Sequence, residues 1–232
     1  LYGPARGYPG AEELEALILE VVDPLKYSPG FDWGFLGMDA TYQEEVIEEV
    51  PGVSKRVRRT YQTPVGPFEA ITIHDLNDLD PHDFHWERRY IHSLDDFIRL
   101  AEADRRQPRP FNLEGYNKGC REIGQRGMPI TGLSHPLGNL VRQSTMEEVY
   151  GWLITERALA HRFLESTNTQ VVESLNALRT LELVDAPIFG TAALEMLIPP
   201  WLGEAHFREF VFPYDKAVNA AVHAIGGRHR AH

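Results

Sequence analysis

The chain has 232 residues, of which 43% are hydrophobic and 25% are charged, a composition typical of a globular domain with one sizeable core. Its net charge of -11 argues against a surface for nucleic acids or anionic membranes, because phosphate binding requires a basic patch. The single cysteine, Cys120, excludes an internal disulfide, and no uncharged apolar run is long enough to span a bilayer, so we expect a cytoplasmic protein.

The N-terminal part of the sequence predicts two helices separated by a loop. Residues Ala11 to Asp23 place apolar side chains at helical spacing, and Pro24 should end that helix. A Gly-rich, aromatic stretch from Tyr27 to Ala40 indicates a loop or a short strand. We expect a short acidic helix from Thr41 to Val50.

A β-hairpin and a polar loop follow. Val53 to Gln62 and Val65 to His74 alternate in the manner of two antiparallel strands. Residues Asp75 to Tyr90 are polar and lack periodicity, so we expect a loop, and their histidines lack the helical spacing of metal ligands. Ser93 should cap a helix that runs to about Asp104.

The middle of the chain predicts the first strand of a parallel sheet. Asn112 can cap a helix to Arg126, and Met128 to Ser134 form a short apolar strand. Overlapping capping boxes begin at Ser144 and Thr145, and helical periodicity continues to about Thr180 with a break near Thr155 or Thr167.

The last 50 residues predict a strand, a helix and the start of another strand. Leu183 to Gly190 have the pattern of a strand buried on both faces, and a loop with Glu195 follows. Apolar residues recur at helical spacing from Phe207 to Ile225, and Gly226-Gly227 should end that helix. Arg228 to His232 resemble the next strand.

This alternation predicts an α/β fold with parallel strands, most simply a partial (β/α)8 TIM barrel. We expect one domain over residues 1–232, with helices, a hairpin and a polar loop in 1–127 and consecutive βα units in 128–232. The chain opens on Leu1 and stops inside a predicted strand, so we expect a truncated barrel.

Three stretches resemble motifs of the uroporphyrinogen decarboxylase superfamily. Tyr61 to Gly66 is similar to a Y-x-T-P-x-G hairpin, and the strand with His135-Pro136 and Gly138 stands where the family has a Gly-rich strand end. The longest likeness is to the segment E…PPWL…F.EFV.PY…H..GG…H. It comprises Glu195, Pro199-Pro200-Trp201-Leu202, Phe207, Phe210-Val211, Pro213-Tyr214, His223, Gly227 and His232.

The resemblance implies a (β/α)8 barrel and one of two activities. Members are either metal-free decarboxylases of tetrapyrrole acetate side chains or zinc-dependent methyltransferases that pass methyl groups between corrinoid carriers and thiols. The hairpin and the PPWL segment are closer to the methyltransferase branch. There the late strand has an H-x-C motif, and His232 aligns with its histidine, which implies a zinc ligand and a corrinoid protein as partner. The arginine-rich fingerprint and the Asp-bearing strand of the decarboxylases are not visible in the sequence.

Two candidate residues follow predicted strands. Glu195 stands just beyond a strand, where parallel barrels keep their catalytic groups; otherwise it is a loop carboxylate that caps the Ala205 helix or is simply solvated. His135 follows the Met128 to Ser134 strand, so it either faces the mouth of the barrel or has a role in the loop.

Three further candidates alternate along the last predicted strand. Arg228, Arg230 and His232 should share one face. An interior arginine suits a substrate carboxylate, although it can also pair with a neighbouring acid. His232 is a metal ligand, an acid or base, or a histidine held by one hydrogen bond inside the barrel.

Two classes of function therefore remain open. One is an enzyme that acts on a corrinoid or tetrapyrrole, with zinc holding a thiolate for methyl transfer, or with arginines and an acid for decarboxylation. The other is a barrel without catalysis, because a fold does not by itself confer activity. Cys120 has no activating neighbour in its predicted helix, so we expect it to be inert.

Overall fold

The computed structural model of the protein describes residues 10–21, 25–77, 84–105, 107–191 and 194–231. The strands are β1 (Leu25–Tyr27), β2 (Thr41–Val50), β3 (Ser54–Thr63), β4 (Gly66–Asp75), β5 (His85–Arg88), β6 (Met128–Gly132), β7 (Ile188–Thr191) and β8 (Arg228–Ala231). The α-helices are α1 (Ala11–Val21), α2 (Leu94–Ala101), α3 (Leu113–Ile123), α4 (Pro136–Gln143), α5 (Met146–Thr155), α6 (Arg157–Ala177), α7 (Glu204–Phe210) and α8 (Phe212–Ala224). Short 3-10 helices span Gly124–Arg126, Leu178–Thr180 and Leu194–Leu197.

A four-stranded parallel sheet has the order β1-β6-β7-β8, so its strands lie side by side in chain order. Ile130 of β6 pairs with Ile188 of β7, which pairs with Arg228 of β8. The predicted mixed α/β class with parallel strands is therefore confirmed. Strand β7 starts later than Leu183 because Pro187 has no backbone N–H to donate to the sheet, so Asp185 lies before the strand rather than within it.

Helices cover one face of this sheet. Phe189 of β7 is fully buried against Val171 of α6 and Val222 of α8. His229 pairs with Phe189 in the ladder and therefore lies on the same face. Arg228 and Arg230 alternate with His229, so they lie on the opposite face, where both are exposed.

A separate antiparallel sheet has the order β2-β3-β4-β5. Its β3–β4 hairpin confirms the predicted pair of strands, and Thr63 Oγ1 closes the turn by donating to the carbonyl oxygen of Gly66 at 2.7 Å. The acidic helix predicted over Thr41 to Val50 is wrong, because this stretch forms β2. The polar loop predicted from Asp75 to Tyr90 contains a strand, β5.

Cross-strand ion pairs support the pairing of the acidic segment with β3. Each of three glutamates on β2 meets an arginine on β3. The pairs are Glu44–Arg59 at 3.0 Å, Glu45–Arg58 at 2.9 Å and Glu48–Arg56 at 2.7 Å. Opposite charges on adjacent strands stabilise their pairing, and a helix would have left the glutamates close to one another.

The helices begin and break largely where the sequence predicts. Ser93 caps α2, and Thr145 with Glu148 forms a full capping box at α5. The region predicted from Phe207 to Ile225 divides into α7 and α8 at Val211. The break has a physical cause, since Pro213 removes a hydrogen bond and its ring would clash within a continuous helix.

The predicted N-terminal helix is present as α1, while Asp23 and Pro24 lie outside the described residues. The main hydrophobic core lies between the antiparallel sheet and helices α2, α4, α5 and α6. Within the ranges that the structure describes, no helix combines the length and apolar character required to cross a bilayer.

Candidate active site at the carboxyl edge of the parallel sheet

A cavity of about 490 Å³ lies at the carboxyl ends of β1 and β6. Tyr27 and Gly132, the last residues of these strands, line it together with Phe31 and Trp33. A Cβ atom at Gly132 would lie 2.8 Å from the hydroxyl oxygen of Tyr27, so a larger residue there would require the exposed Tyr27 side chain to shift. Aromatic walls of this kind suit a flat, largely apolar ligand.

Trp33 is held in place at this cavity. Its indole Nε1–H donates to the carbonyl oxygen of Gly132 at 3.3 Å. Its ring also packs against Phe31, with 4.9 Å between the ring centroids. One wall of the cavity is therefore fixed to the end of β6.

His135 follows β6 and begins α4 as its N-cap. Its Nδ1 accepts from the backbone N–H of Gly138 at 2.9 Å, so Nδ1 has no proton. The neutral ring then carries its proton on Nε2, which donates to Oδ1 of Asp215 at 2.9 Å. Both ring nitrogens of His135 are engaged, and the residue is only 4% exposed. The ring is therefore placed to orient Asp215 and not to contact a substrate.

Asp215 was not predicted from the sequence. It lies in the first turn of α8, and 29% of its side chain is exposed, so the carboxylate is oriented by His135 and still accessible. The available signal was an acid just after Pro213 at the start of a crossover helix. Such a helix starts near the carboxyl edge of the sheet, where ligands bind in parallel folds.

His229 was also missed, although its neighbours Arg228 and Arg230 were predicted. Its Nε2 lies 3.1 Å from Thr191 Oγ1, and its Nδ1 lies 3.2 Å from the side-chain oxygen of Asn219. Burial lowers the pKa of His229, an effect that the nearby Asp215 carboxylate partly opposes. His229 is therefore neutral at pH 7. It lies on the helix-covered face of the sheet, beside Phe189.

Glu195 lies in the 3-10 helix Leu194–Leu197, beyond the carboxyl end of β7. This turn packs against α4, the helix that His135 caps, and Tyr150 of α5 donates to the carbonyl oxygen of Met196. Glu195 itself is exposed and is not among the residues that line the aromatic cavity. The structure thus places Glu195 and His135 at the same edge of the sheet.

Of the three residues predicted to share the last strand, the structure describes two, Arg228 and Arg230, and both lie on the open face of β8 but beside different edges of the sheet. Arg230 is exposed on the open face of the sheet. Arg228 is the first residue of β8 and lines a different cavity, at the amino edge. His232 lies outside the described residues.

A second histidine holds the residue before Asp215. His161 of α6 contacts Glu209 Oε1 through Nε2 and the hydroxyl oxygen of Tyr214 through Nδ1, both at 3.0 Å. Arg157 pairs with the other oxygen of Glu209 at 2.6 Å. Burial raises the pKa of Tyr214 to about 12, and Glu165 and Glu209 add to the effect, so the phenol keeps its proton and donates it to His161.

A zinc site would require three or four nitrogen, sulfur or oxygen ligands. In the part of the chain that the structure describes, no three His, Cys, Asp or Glu side chains are grouped to hold a metal ion. The described residues alone do not fit a zinc site. Cys120 is buried in α3, and burial raises the pKa of its thiol, which opposes thiolate formation.

A scan against protein-family models, a search of curated proteins and a search of solved structures each found no significant match to this chain.

Proposed function

We propose that the protein is an enzyme of the uroporphyrinogen decarboxylase superfamily that binds a flat macrocycle at the carboxyl edge of its parallel sheet. The reaction that we propose first is methyl transfer between a corrinoid and a thiol. The observation that supports it most is the aromatic cavity at the ends of β1 and β6, with the turns of His135 and Glu195 at the same edge.

The order of the strands supports the barrel that this proposal requires. Consecutive parallel strands in chain order, with helices on one face, are the arrangement within a (β/α)8 barrel. A doubly wound sheet instead reverses its strand order at the ligand site. We therefore propose that the sheet is one part of such a barrel and that its open face is directed toward the barrel interior.

The described side chains would act by binding and proton handling. Tyr27, Phe31 and Trp33 would contact the macrocycle, and Arg230 would pair with a carboxylate on its rim. Asp215, oriented by the neutral ring of His135, would accept or donate a proton. Glu195 would act as a second carboxylate from the turn after β7.

Metal-free decarboxylation of a tetrapyrrole is the second candidate, and Arg230 favours it. Its guanidinium is exposed and makes no ion pair or hydrogen bond with a described side chain, so it can receive a substrate carboxylate. A barrel without catalysis is the remaining alternative.

Bound zinc and turnover, measured together on the full-length protein, distinguish these candidates. Methyl transfer predicts about one zinc per protein and turnover of methylcobalamin with a thiol. It also predicts that His232→Ala lowers the zinc content, because losing one of three or four ligands weakens a site severely. Decarboxylation predicts negligible zinc and loss of carboxyl groups from uroporphyrinogen.

Substitutions then test the assigned residues. Glu195→Gln and Asp215→Asn should each lower turnover at least about a hundredfold, the usual contribution of a general acid or base. Glu173→Gln, an exposed glutamate of α6, is the matched control and should retain full turnover. Turnover unchanged in both site variants would remove the site assignment, and the absence of both reactions would favour the barrel without catalysis.

A further inference from the structure

A second cavity, of about 330 Å³, lies at the opposite edge of the parallel sheet. Met128, Ile188 and Arg228, the first residues of β6, β7 and β8, line it. The other lining residues are Asp185, Ala186, Pro129 and three glycines, Gly124, Gly127 and Gly226. This cavity is thus separated from the carboxyl edge by the length of the strands, and none of its lining residues belongs to the aromatic cavity.

The backbone keeps the mouth of this cavity open. Gly124 has φ +55° and Gly226 has φ +74°, a region that residues with side chains rarely adopt. A Cβ atom at either position would meet no atom within 4 Å, so the space beside them is vacant. The two glycines that end helices α3 and α8 therefore place no side chain beside the cavity.

Two opposite charges face this space. Arg228 and Asp185 both line the cavity and are both exposed. Neither side chain makes an ion pair or a hydrogen bond with a described residue, so they do not pair with each other. A positive and a negative group are therefore both available to a ligand.

The backbone that presents each charge is fixed. The N–H of Arg228 donates to the carbonyl oxygen of Pro187 at 3.0 Å, which anchors the start of β8. The segment before β7 is held by α3. Tyr116 donates its hydroxyl to the carbonyl oxygen of Asp185 at 3.1 Å, and Asn117 accepts from the N–H of Val184 at 2.9 Å. The separation of the two backbone positions that carry these charges is thus set by the fold.

We propose that this cavity binds a small zwitterion, with its carboxylate on Arg228 and its ammonium group on Asp185. The volume is at the lower end of the range for small-molecule sites. Arginine binds carboxylates in a bidentate manner. A ligand that carries both charges would displace water from Arg228 and Asp185 and pair with each of them. This site does not depend on the proposed reaction, since it lies at the other edge of the sheet.

A series of ω-amino acids tests the proposal by calorimetric titration. Glycine, β-alanine, γ-aminobutyrate and 5-aminovalerate hold the same two charges at increasing separation. We expect one member of the series to bind best and to exceed both acetate and methylammonium by at least about tenfold in affinity. Acetate binding equally well would mean a simple anion site and would overturn the proposal, as would the absence of binding by every member.

Four variants assign the binding to this cavity. Arg228→Gln and Asp185→Asn should each weaken binding of the best ligand at least about tenfold, while Arg126→Gln, an exposed arginine outside the cavity, should not. The exchanged double variant, R228D with D185R, should bind better than either single variant because both charges are again present. Equal binding in all variants would place the ligand elsewhere and contradict the inference.

Discussion

At the scale of single residues, His135 joins two elements through one ring. Nδ1 caps α4 and Nε2 holds Asp215 of α8. Asparagine is a good N-cap, but its side chain is too short to reach Asp215 as well. His135→Asn therefore keeps the cap of α4 and loses the contact with Asp215. We expect His135→Ala to lower the free energy of unfolding by about 2 to 4 kcal/mol, and His135→Asn to cost about 1 kcal/mol less.

Urea unfolding of both variants measures these changes. Thermal denaturation gives an independent comparison of the pair. Equal losses in the alanine and asparagine variants would show that the cap contributes nothing, and losses near zero in both would contradict the roles assigned to the ring.

A second residue, His229, predicts a dependence of stability on pH. Burial lowers its pKa in the folded state below the value of about 6.5 in the unfolded chain. The unfolded state therefore binds the proton more readily than the folded state does. The stability that His229 contributes is complete above about pH 6.5 and is lost as the pH falls through the folded pKa. Burial lowers the pKa of His74 as well, so the two histidines act in the same direction.

Unfolding free energies from about pH 7.5 to 5 test this expectation. His229→Gln should reduce the loss of stability on acidification relative to the unaltered protein. Gln62→Asn, at an exposed position of β3, changes no titrating group and should leave the pH dependence unchanged. A His229→Gln profile identical to that of the unaltered protein would contradict the assignment.

At the scale of elements, the first turn of α8 is fixed by side chains of two other helices. His135 at the start of α4 holds Asp215, and His161 of α6 holds Tyr214. Adjacent residues held from two directions define where the helix begins. The position of Asp215 at the carboxyl edge is therefore a consequence of tertiary contacts as well as of the break at Pro213.

His161 can be tested without losing its ring packing. The ring stacks on Phe210, with 4.9 Å between centroids, and phenylalanine keeps this contact while removing both hydrogen bonds. We expect His161→Phe to lower the free energy of unfolding by about 1 to 3 kcal/mol. His206 also contacts Phe210 but makes no hydrogen bond with a described residue, so His206→Phe should change stability by less than about 0.5 kcal/mol. Urea titrations that give equal losses would show that packing, not hydrogen bonding, is the role of His161.

Elements whose local signals agree were predictable from the sequence. The β3–β4 hairpin has alternation and turn residues, and α5 has a capping box, so each is specified by nearby residues. Strand β2 was not predictable in this way. Its glutamates favour a helix locally, and the strand depends on the backbone ladder with β3, to which the glutamate–arginine pairs add.

The candidate site shows the same limit. Glu195 and His135 were proposed because each follows a predicted strand in the sequence. Asp215 lies 80 residues from His135, and no local pattern records that the two side chains meet. Arg228 and Arg230 lie on one face of β8, as the alternation predicted. Arg228, however, lines the cavity at the amino edge of the sheet, which the sequence did not indicate.

At the scale of the whole molecule, the parallel sheet separates two cavities. The carboxyl edge has aromatic walls with the His135–Asp215 pair and Glu195 at the same end, and the amino edge has two opposite charges and open backbone. The antiparallel sheet lies apart from both, and it packs its aromatic face against the main core. Chemistry proposed at one edge and binding proposed at the other can therefore be tested independently.

Binding of a macrocycle at the carboxyl edge tests the central claim most directly. Trp33 is the single tryptophan that lines the aromatic cavity, so its fluorescence reports a ligand there. We expect methylcobalamin or uroporphyrin to quench this emission with saturation, and we expect the quenching to be largely lost in Trp33→Phe but retained in Trp201→Phe, an exposed position. No saturable quenching by either macrocycle, or quenching that Trp33→Phe leaves unchanged, would contradict the account.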